Sequence, residues 1–210
     1  MKLYDMQMAP NPRRVRIFLA EKGLDVELVE INLMEGENLG EDFLKINPRG
    51  TIPTLELDDG TYLDETVAIC RYLEELHPQP NLLGTDALSK GQTEACQRHV
   101  EFDGLQPLLE NFRNTFPAFS ERGVPGLPAE YKAIPELAER GQRRYQLFMK
   151  NLNDRLADHK FIAGDTFSIA DITALCTIDF AKVMEIELAE DLTHARRWYD
   201  DVSSRESASS

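Results

Sequence analysis

The sequence predicts a small α/β domain followed by an all-helical domain. Helix and strand patterns alternate through the first third of the chain, and strand patterns then disappear. Between the two regions, the Pro-rich segment His77–Gly84 has neither periodicity and is typical of a linker. We therefore expect a first domain over residues 1–77, a linker over 78–87 and a helical domain over 88–210.

The first domain is predicted to have the order β-α-β-α-β-β-α. Strand patterns occur in LYDM and VELVEINL, and between them Pro12–Lys22 has the apolar stripe of a helix that stops at Gly23. Asp58-Asp59-Gly60 separates two more short strands, as in a β-hairpin. Glu65–Leu76 has the periodicity of an amphipathic helix. This order fits a small mixed sheet covered by helices.

The second domain is predicted to contain long helices and a Pro/Gly-rich loop, PAFSERGVPGLPAEY. Ser168 and Asp171 form a capping-box pattern, to which we assign a structural role. The tail SSRESASS is expected to fray. The expected helices are Leu88–Phe116 with a bend at Pro107, Pro135–Leu156, Phe167–Val183 and Asp191–Val202.

Composition excludes several classes of partner. A formal net charge of −14 at pH 7 would repel nucleic acid and anionic membranes. The three cysteines, Cys70, Cys96 and Cys176, are widely spaced and odd in number, which favours a reducing compartment. Neither a signal peptide nor a membrane span is indicated, so we expect a cytoplasmic protein. The four histidines share no metal-ligand spacing, so no metal site is predicted.

Three segments could carry chemistry. In NPRGTIPTLEL, a cis bond before Pro53 would leave the Ile52 N–H and C=O free for an extended peptide, although a trans proline ending a loop is the more frequent case. Glu65 and Thr66 open a helix, where they could hold an ammonium and a carboxylate or serve only as a cap. The third segment is MAPNPRRVRIF, where a turn leads into an arginine-rich helix that is either a solvated face or an anion-attracting one.

Taken together, T-I-P before a strand, D-E-T at a helix start, the Pro-rich linker and S-I-A-D opening a buried helix resemble a cytosolic glutathione transferase of bacterial type. The resemblance covers essentially the whole chain. It implies a thioredoxin-like first domain, an all-helical second domain, a homodimer and a role in detoxification. Glutathione would be a co-substrate, with no tightly bound cofactor.

The resemblance also implies a set of glutathione contacts. Pro53 would be cis, the Ile52 backbone would pair with the cysteinyl part of glutathione, and Glu65 with Thr66 would bind its γ-glutamyl head. Further contacts are expected from three arginines and two acidic residues. Arg13, Arg14 and Arg49 would attract the anionic tripeptide, while Asp103, with Glu101, would reach the amino group of glutathione in a partner subunit.

The turn after the first strand departs from the family pattern. Many family members place a Ser or Tyr hydroxyl there to stabilise the thiolate, but Ala9 has none and the turn contains no cysteine. Asn11 remains, and its amide could donate to sulfur, although Asn is also a common turn residue. The Pro-Asn turn is most similar to the nu-like branch. Tyr4 lies within the strand and is expected to belong to the core.

The leading hypothesis is an enzyme that activates the thiol of bound glutathione for attack on a small hydrophobic electrophile, a peroxide or a disulfide. Val124, Leu127 and Tyr131 are expected to shape the acceptor pocket. The alternative is a non-catalytic binding or regulatory protein with the same fold. A glutaredoxin-like mechanism is disfavoured because the required cysteine is missing from the start of the first helix.

Overall fold

The computed structural model describes residues 1–127 and 129–210; Pro128, in the predicted Pro/Gly-rich loop, lies outside the described residues. Four short strands form one mixed sheet in the order β2-β1-β3-β4. Strand β1 pairs parallel with β2 and antiparallel with β3, which pairs antiparallel with β4. The strands are β1 Lys2–Asp5, β2 Glu27–Glu30, β3 Thr54–Glu56 and β4 Tyr62–Asp64.

Helices cover both faces of this sheet. They are α1 Pro10–Glu21, α2 Glu41–Ile46 and α3 Thr66–Leu76. Successive strand residues point to opposite faces. Leu3 therefore joins the main core with α1 and α3, while Tyr4 packs with Phe43 of α2 on the other face. The predicted order β-α-β-α-β-β-α is confirmed, and the domain is thioredoxin-like.

The second domain is helical, as predicted. Its most buried helix is α7, which begins with the predicted capping box. The Asp171 carboxylate accepts from the Ser168 N–H and from the Ser168 hydroxyl, both at 3.0 Å, and the Asp171 N–H donates to the Ser168 carbonyl at 3.0 Å. The helices are α4 Ala87–His99, α5 Gln106–Thr115, α6 Pro135–Asp158, α7 Ile169–Val183 and α8 Thr193–Ser203.

The predicted helical segment over Leu88–Phe116 is present, and its irregularity near Pro107 is more than a bend. The segment is two α-helices, α4 and α5, joined by a π-helical turn at Val100–Leu105. Pro107 lies just beyond this turn and cannot donate a backbone hydrogen bond, so the helical ladder has to be interrupted near it. Gly104 allows the turn to approach α6, because a Cβ there would lie 2.7 Å from the Phe148 ring.

The expected frayed tail is wrong. Residues Glu206–Ser209 form a short 3₁₀ helix against α1. Arg205 donates to both carboxylate oxygens of Glu21 at 2.8 and 2.7 Å, and the Ser207 hydroxyl donates to the same carboxylate. These polar contacts order the tail, together with Ala208, which packs against the main core.

The two domains share one apolar core. Helix α1 packs against α7, and buried side chains of both domains belong to the same cluster. The linker takes part through Leu82, which is buried and whose carbonyl accepts from the Ile169 N–H at 3.0 Å. In the described part of the chain, no helix has both the length and the apolarity to cross a membrane.

Candidate functional site

A cleft of about 600 Å³ lies between the two domains. From the first domain it is lined by the turn after β1, the loop before β3 and the start of α3. From the second domain it is lined by α5, the loop that follows it and the end of α7. Of the residues predicted to act on glutathione, six line it: Asn11, Arg49, Ile52, Pro53, Glu65 and Thr66.

The loop before β3 presents open backbone to this cleft. The Ile52–Pro53 peptide bond is cis. Among the residues that the structure describes, the Ile52 N–H and C=O have no hydrogen-bond partner. The Asn47 amide holds the loop by donating to the Thr51 carbonyl at 2.8 Å and to the Thr54 hydroxyl at 3.1 Å. An extended peptide can therefore pair with Ile52 as an added strand.

The start of α3 forms the second wall. Among the residues that the structure describes, no side chain caps this helix, so its first N–H groups and the positive end of its dipole remain available to an anion. Glu65 occupies the N-cap position with φ of 66°, a conformation that is rare for a residue with a side chain. Its carboxylate is exposed and lies 3.2 Å from the Arg49 guanidinium. This wall therefore offers the helix N–H groups to a ligand carboxylate and the Glu65 carboxylate to a ligand ammonium group.

The start of α1 forms the third wall, and its sequence leaves few donors. Pro10 and Pro12 have no N–H, so Asn11 carries the one backbone donor among the first three helical residues. Within residues 1–127 and 129–210, that N–H has no backbone acceptor. Ala9 precedes the helix and supplies no capping side chain. The Asn11 carbonyl accepts from the Thr66 hydroxyl at 3.4 Å, which joins this wall to the start of α3.

A buried ion pair orients the Asn11 side chain. The Arg14 guanidinium donates to Asn11 Oδ1 at 2.9 Å and to Glu101 Oε1 at 2.5 Å. Arg98 pairs with the second Glu101 oxygen at 2.7 Å. Because arginine has only donors, the amide oxygen must face Arg14, and the Asn11 NH₂ group is directed the other way. The sequence suggested Arg14 and Glu101 as groups that act on glutathione. In the structure, Arg14 contacts Asn11 and Glu101, and Glu101 pairs with Arg14 and Arg98.

Other predicted residues lie away from the cleft. Arg13 donates to Asp179 at 2.7 Å and to the Ala208 carbonyl at 2.8 Å on the opposite side of α1, which argues against the direct glutathione contact that we expected. Asp103 is exposed, lies 3.6 Å from Arg144 and does not line the cleft. Its suggested role across a subunit interface stays a prediction. Tyr4 is buried and donates to Glu56 at 2.8 Å, as a core residue would.

The acceptor side of the cleft is built mainly by residues that sequence reasoning missed. Phe112 stacks on Phe116 with a centroid distance of 4.9 Å and meets Phe180 edge-on at 4.9 Å. Phe119 completes the cluster at 5.5 Å from Phe112. The spacing of 112, 116 and 119 places three rings on one side of the chain and could have indicated an aromatic surface.

Two of the three residues proposed for this pocket are not in its lining. Leu127 lines the cleft, whereas Val124 and Tyr131 do not. Gly126 explains why this loop reaches the first domain at all, because its missing side chain allows a close approach: a Cβ there would lie 2.1 Å from the Arg49 carbonyl.

These features define a class of protein: a thioredoxin-like domain and a helical domain with a cleft between them, into which open backbone and an open helix start face. Residues 9–76 match the family model of the Glutathione S-transferase, N-terminal domain, and residues 107–206 match that of the Glutathione S-transferase, C-terminal domain. The chain is also 34% identical over 209 residues to Glutathione S-transferase 2 of Saccharomyces cerevisiae, covering 99% of this chain and 87% of the relative. The chain belongs to the glutathione S-transferase family.

Solved structures agree with this assignment. The crystal structure of Gtt2 from Saccharomyces cerevisiae matches with a TM-score of 0.92 at 34% identity, covering 100% of this chain and 99% of that chain. A glutathione S-transferase of class Gtt2 from Vibrio parahaemolyticus matches with a TM-score of 0.83 at 38% identity, covering 99% of this chain and 94% of that chain. The nu-like character inferred from the Pro-Asn turn stays a prediction.

Proposed function

We propose that the protein is a glutathione transferase in which Asn11 stabilises the thiolate of bound glutathione. The observation that carries this proposal is the Arg14–Asn11 contact, which directs the amide donors of Asn11 away from the ion pair in a residue that lines the cleft. The open backbone of Ile52 and the uncapped start of α3 line the same cleft.

Glutathione would bind as an extended peptide along the first domain. Its cysteinyl N–H and C=O pair with the Ile52 backbone, in the manner of an added strand. Its γ-glutamyl carboxylate accepts from the Thr66 N–H and hydroxyl at the positive end of α3, while Glu65 holds the ammonium group. Arg49, beside Glu65, adds positive charge for an anionic tripeptide. This arrangement brings the cysteinyl sulfur to the start of α1.

The thiol then needs a lower pKa. A free thiol with a pKa near 8.5 is only about 3% thiolate at pH 7, and the thiolate is the nucleophile. The Asn11 NH₂, the Asn11 N–H and the positive end of the α1 dipole all stabilise negative charge on sulfur. A reduction of about two pKa units corresponds to about 2.7 kcal/mol of preferential stabilisation of the thiolate.

The reaction requires no residue that forms a covalent bond. The thiol proton passes to solvent, and the thiolate attacks the electrophilic carbon of an acceptor on the aromatic side of the cleft. A C–S bond forms, and the leaving group departs with the electrons of the bond that breaks. With a peroxide, the thiolate attacks oxygen, the O–O bond breaks and an alcohol leaves; a second glutathione then converts the resulting sulfenic acid to glutathione disulfide and water. With a disulfide, the thiolate attacks one sulfur, the S–S bond breaks, and the other sulfur leaves as a thiolate.

Retention on immobilised glutathione tests binding, and a panel of an aryl halide, cumene hydroperoxide and a mixed disulfide tests activity. We expect retention that free glutathione reverses, together with turnover of at least one substrate above its uncatalysed rate. A protein that fails to bind glutathione at millimolar concentration would contradict the proposal. Binding without any turnover would favour the non-catalytic alternative, for which the relatives named above give no support.

The proposal extends to assembly and location. We propose a homodimer in the cytoplasm with a role in detoxification, consistent with the family resemblance. The exposed Phe102, adjacent to Asp103, is an apolar group suited to an interface, and three buried free cysteines suit a reducing compartment. Light scattering during size-exclusion chromatography tests the dimer, since a monomer at micromolar concentration would contradict it.

A further inference from the structure

Two arginines lie among the phenylalanines on the acceptor side of the cleft. The Arg113 guanidinium stacks on the Phe119 ring at 4.4 Å, and that of Arg122 lies over the same ring at 5.5 Å. Both residues line the cleft, and both come from the second domain, opposite the Ile52 and Thr66 walls. The aromatic side of the cleft therefore contains two cationic side chains.

Protein carboxylates do not neutralise this pair. In the described ranges 1–127 and 129–210, no Asp or Glu oxygen lies within 4.0 Å of either guanidinium. The chain has 37 acidic and 23 basic residues, and within the described ranges most of its arginines lie within 4.0 Å of a carboxylate. An unpaired, partly buried cation is costly and tends to mark a binding site for an anion.

The two arginines differ in what they already contact. Arg122 donates to the carbonyls of Met34 at 2.9 Å and Ala118 at 3.2 Å, so its guanidinium joins the second domain to the first. Arg113 donates one bond, to the Arg122 carbonyl at 3.1 Å, and its buried Nε has no hydrogen-bond partner among the described residues. Burial and the neighbouring Arg122 charge lower the pKa of Arg113 to about 10. Arg113 therefore keeps hydrogen-bond donors that a ligand could use.

Glutathione itself is not the anion that this site requires. In the proposed binding mode, its γ-glutamyl carboxylate binds at the start of α3. Arg49, which lies 3.2 Å from Glu65 on the first domain, supplies positive charge to the tripeptide. Arg113 belongs instead to α5 and shares its surroundings with Phe112 and Phe119, on the side where the second substrate must enter.

We propose that the acceptor carries a carboxylate attached to a planar apolar body, with Arg113 binding the carboxylate and the phenylalanine cluster binding the ring. Arg122 adds positive charge and holds the pocket closed against the first domain. This inference rests on the proposed glutathione transferase function and specifies its second substrate. Planar guanidinium groups pair with carboxylates through two parallel hydrogen bonds, and flat rings stack on aromatic side chains.

A matched pair of aryl chlorides tests the proposal: 4-chloro-3,5-dinitrobenzoate and its methyl ester. In both, the thiolate forms a C–S bond at the chlorinated carbon and chloride leaves with the C–Cl electrons, so they differ chiefly in the carboxylate charge. For each compound, kcat/KM is divided by the rate constant of its uncatalysed reaction with glutathione. We expect this normalised value to favour the acid about tenfold or more, as a charge-assisted hydrogen bond would give.

Replacing Arg113 makes the test specific. Arg113→Leu should bring the normalised acid-to-ester ratio of kcat/KM down to about one, while the KM for glutathione stays within about twofold, because Arg113 lies outside the proposed glutathione contacts. Arg113→Lys should keep part of the preference. The matched control is Arg143→Leu on the exposed face of α6, which should change neither substrate's kinetics. If Arg113→Leu does not fold, inhibition of the unmodified protein by 3,5-dinitrobenzoate and its methyl ester provides the comparison.

The outcomes separate this inference from the proposed function. Turnover of neither chloride, together with no binding of glutathione, would overturn the proposed function itself. Turnover of both with no preference for the acid, or an equal preference in Arg113→Leu, would overturn the carboxylate site alone. A higher KM for glutathione in Arg113→Leu with unchanged acceptor preference would also overturn it, since Arg113 would then bind glutathione.

Discussion

The starts of α3 and α7 are the same kind of structure used for opposite purposes. At α7, the Ser168–Asp171 capping box satisfies the first N–H groups, and Asp171 is completely buried. At α3, no side chain in the described part of the chain caps the helix, and Glu65 has a φ of 66° beside the cleft. Both segments place polar residues before an apolar helix, so sequence alone left capping and ligand binding open for Glu65 and Thr66.

The difference shows how to separate a structural helix start from one that binds a ligand. A closed start hydrogen-bonds its own donors and contributes to stability, whereas an open start keeps donors unpaired and accepts a strained residue. Substitutions at α7 should therefore lower stability, and substitutions at α3 should lower glutathione affinity. The following variants test that division.

The largest expected effect is on stability, from Asp171→Ala. The Asp171 carboxylate accepts from the Ile162 N–H at 2.9 Å, the Trp198 indole at 2.8 Å and Ser168 at 3.0 Å. Removing it leaves several buried donors unsatisfied, so we expect a loss of about 3 kcal/mol or more in the free energy of unfolding. Urea denaturation measures this. Asp165→Ala, at an exposed position in the same loop, is the control and should change it by less than about 0.5 kcal/mol.

Thr66→Val should lower the affinity for glutathione and leave the stability of the fold nearly unchanged. The variant keeps the shape of the side chain but loses the hydroxyl, whose contact with the Asn11 carbonyl is long at 3.4 Å. We expect the Kd for glutathione to rise about tenfold, as for a lost hydrogen bond to a charged group, with little change in the urea midpoint. Calorimetric titration with glutathione measures it. Thr85→Val, just before α4, is the matched control; a loss of stability in Thr66→Val without weaker binding would contradict the comparison.

Glu65→Gly should raise the stability of the fold and lower the affinity for glutathione. Glycine accepts a positive φ without steric cost, so this variant should be about 1 kcal/mol more stable than the natural protein. It also lacks the carboxylate proposed for the ammonium group of glutathione, and its Kd should rise. Thermal unfolding and titration measure the two changes. If Glu65→Gly lowered stability instead, Glu65 would act as part of the helix cap rather than as a ligand-binding residue.

The smallest expected effect is on the pH dependence of stability, from Glu21 at the end of α1. Burial alone would raise the pKa of Glu21, but hydrogen bonds from Arg205 and Ser207 lower it below its ordinary value of 4.5. A lowered pKa stabilises the fold above that value, and the contribution disappears as pH falls through the folded-state pKa. Glu21→Gln should therefore cost about 1 kcal/mol at pH 7 and progressively less below pH 4.5. A pH-independent difference in urea midpoint would contradict this account of the tail.

The sequence predicted the features that depend on local chemistry. Asp58-Asp59-Gly60 predicted the hairpin, and Ser168 with Asp171 predicted the capping box, because each depends on residues a few positions apart. The tail was missed because its order depends on Glu21, which is 184 positions away from Arg205. Contacts of that range leave no local pattern.

In the candidate site, too, the residues in short local motifs could be predicted from the sequence and those placed by long-range packing could not. Ile52 and Thr66 belong to short motifs at the ends of secondary structure elements, and they line the cleft as the resemblance implied. Arg113 was missed because an arginine on an amphipathic helix is normally solvated, and only the packing of α5 against the following loop places it among aromatic rings. Arg14 was noticed as a charge, but its contact with Asn11 appears only in three dimensions.

The most direct test of the account is the pKa of the thiol of glutathione bound to the protein, measured from thiolate absorbance against pH. We expect a value about two units below the 8.5 of a free thiol, rising by about one unit in Asn11→Ala and further in Asn11→Asp, where a carboxylate faces the sulfur. Equal pKa values in the natural protein and Asn11→Ala, with glutathione bound in both, would contradict the assignment of Asn11 as the group that stabilises the thiolate.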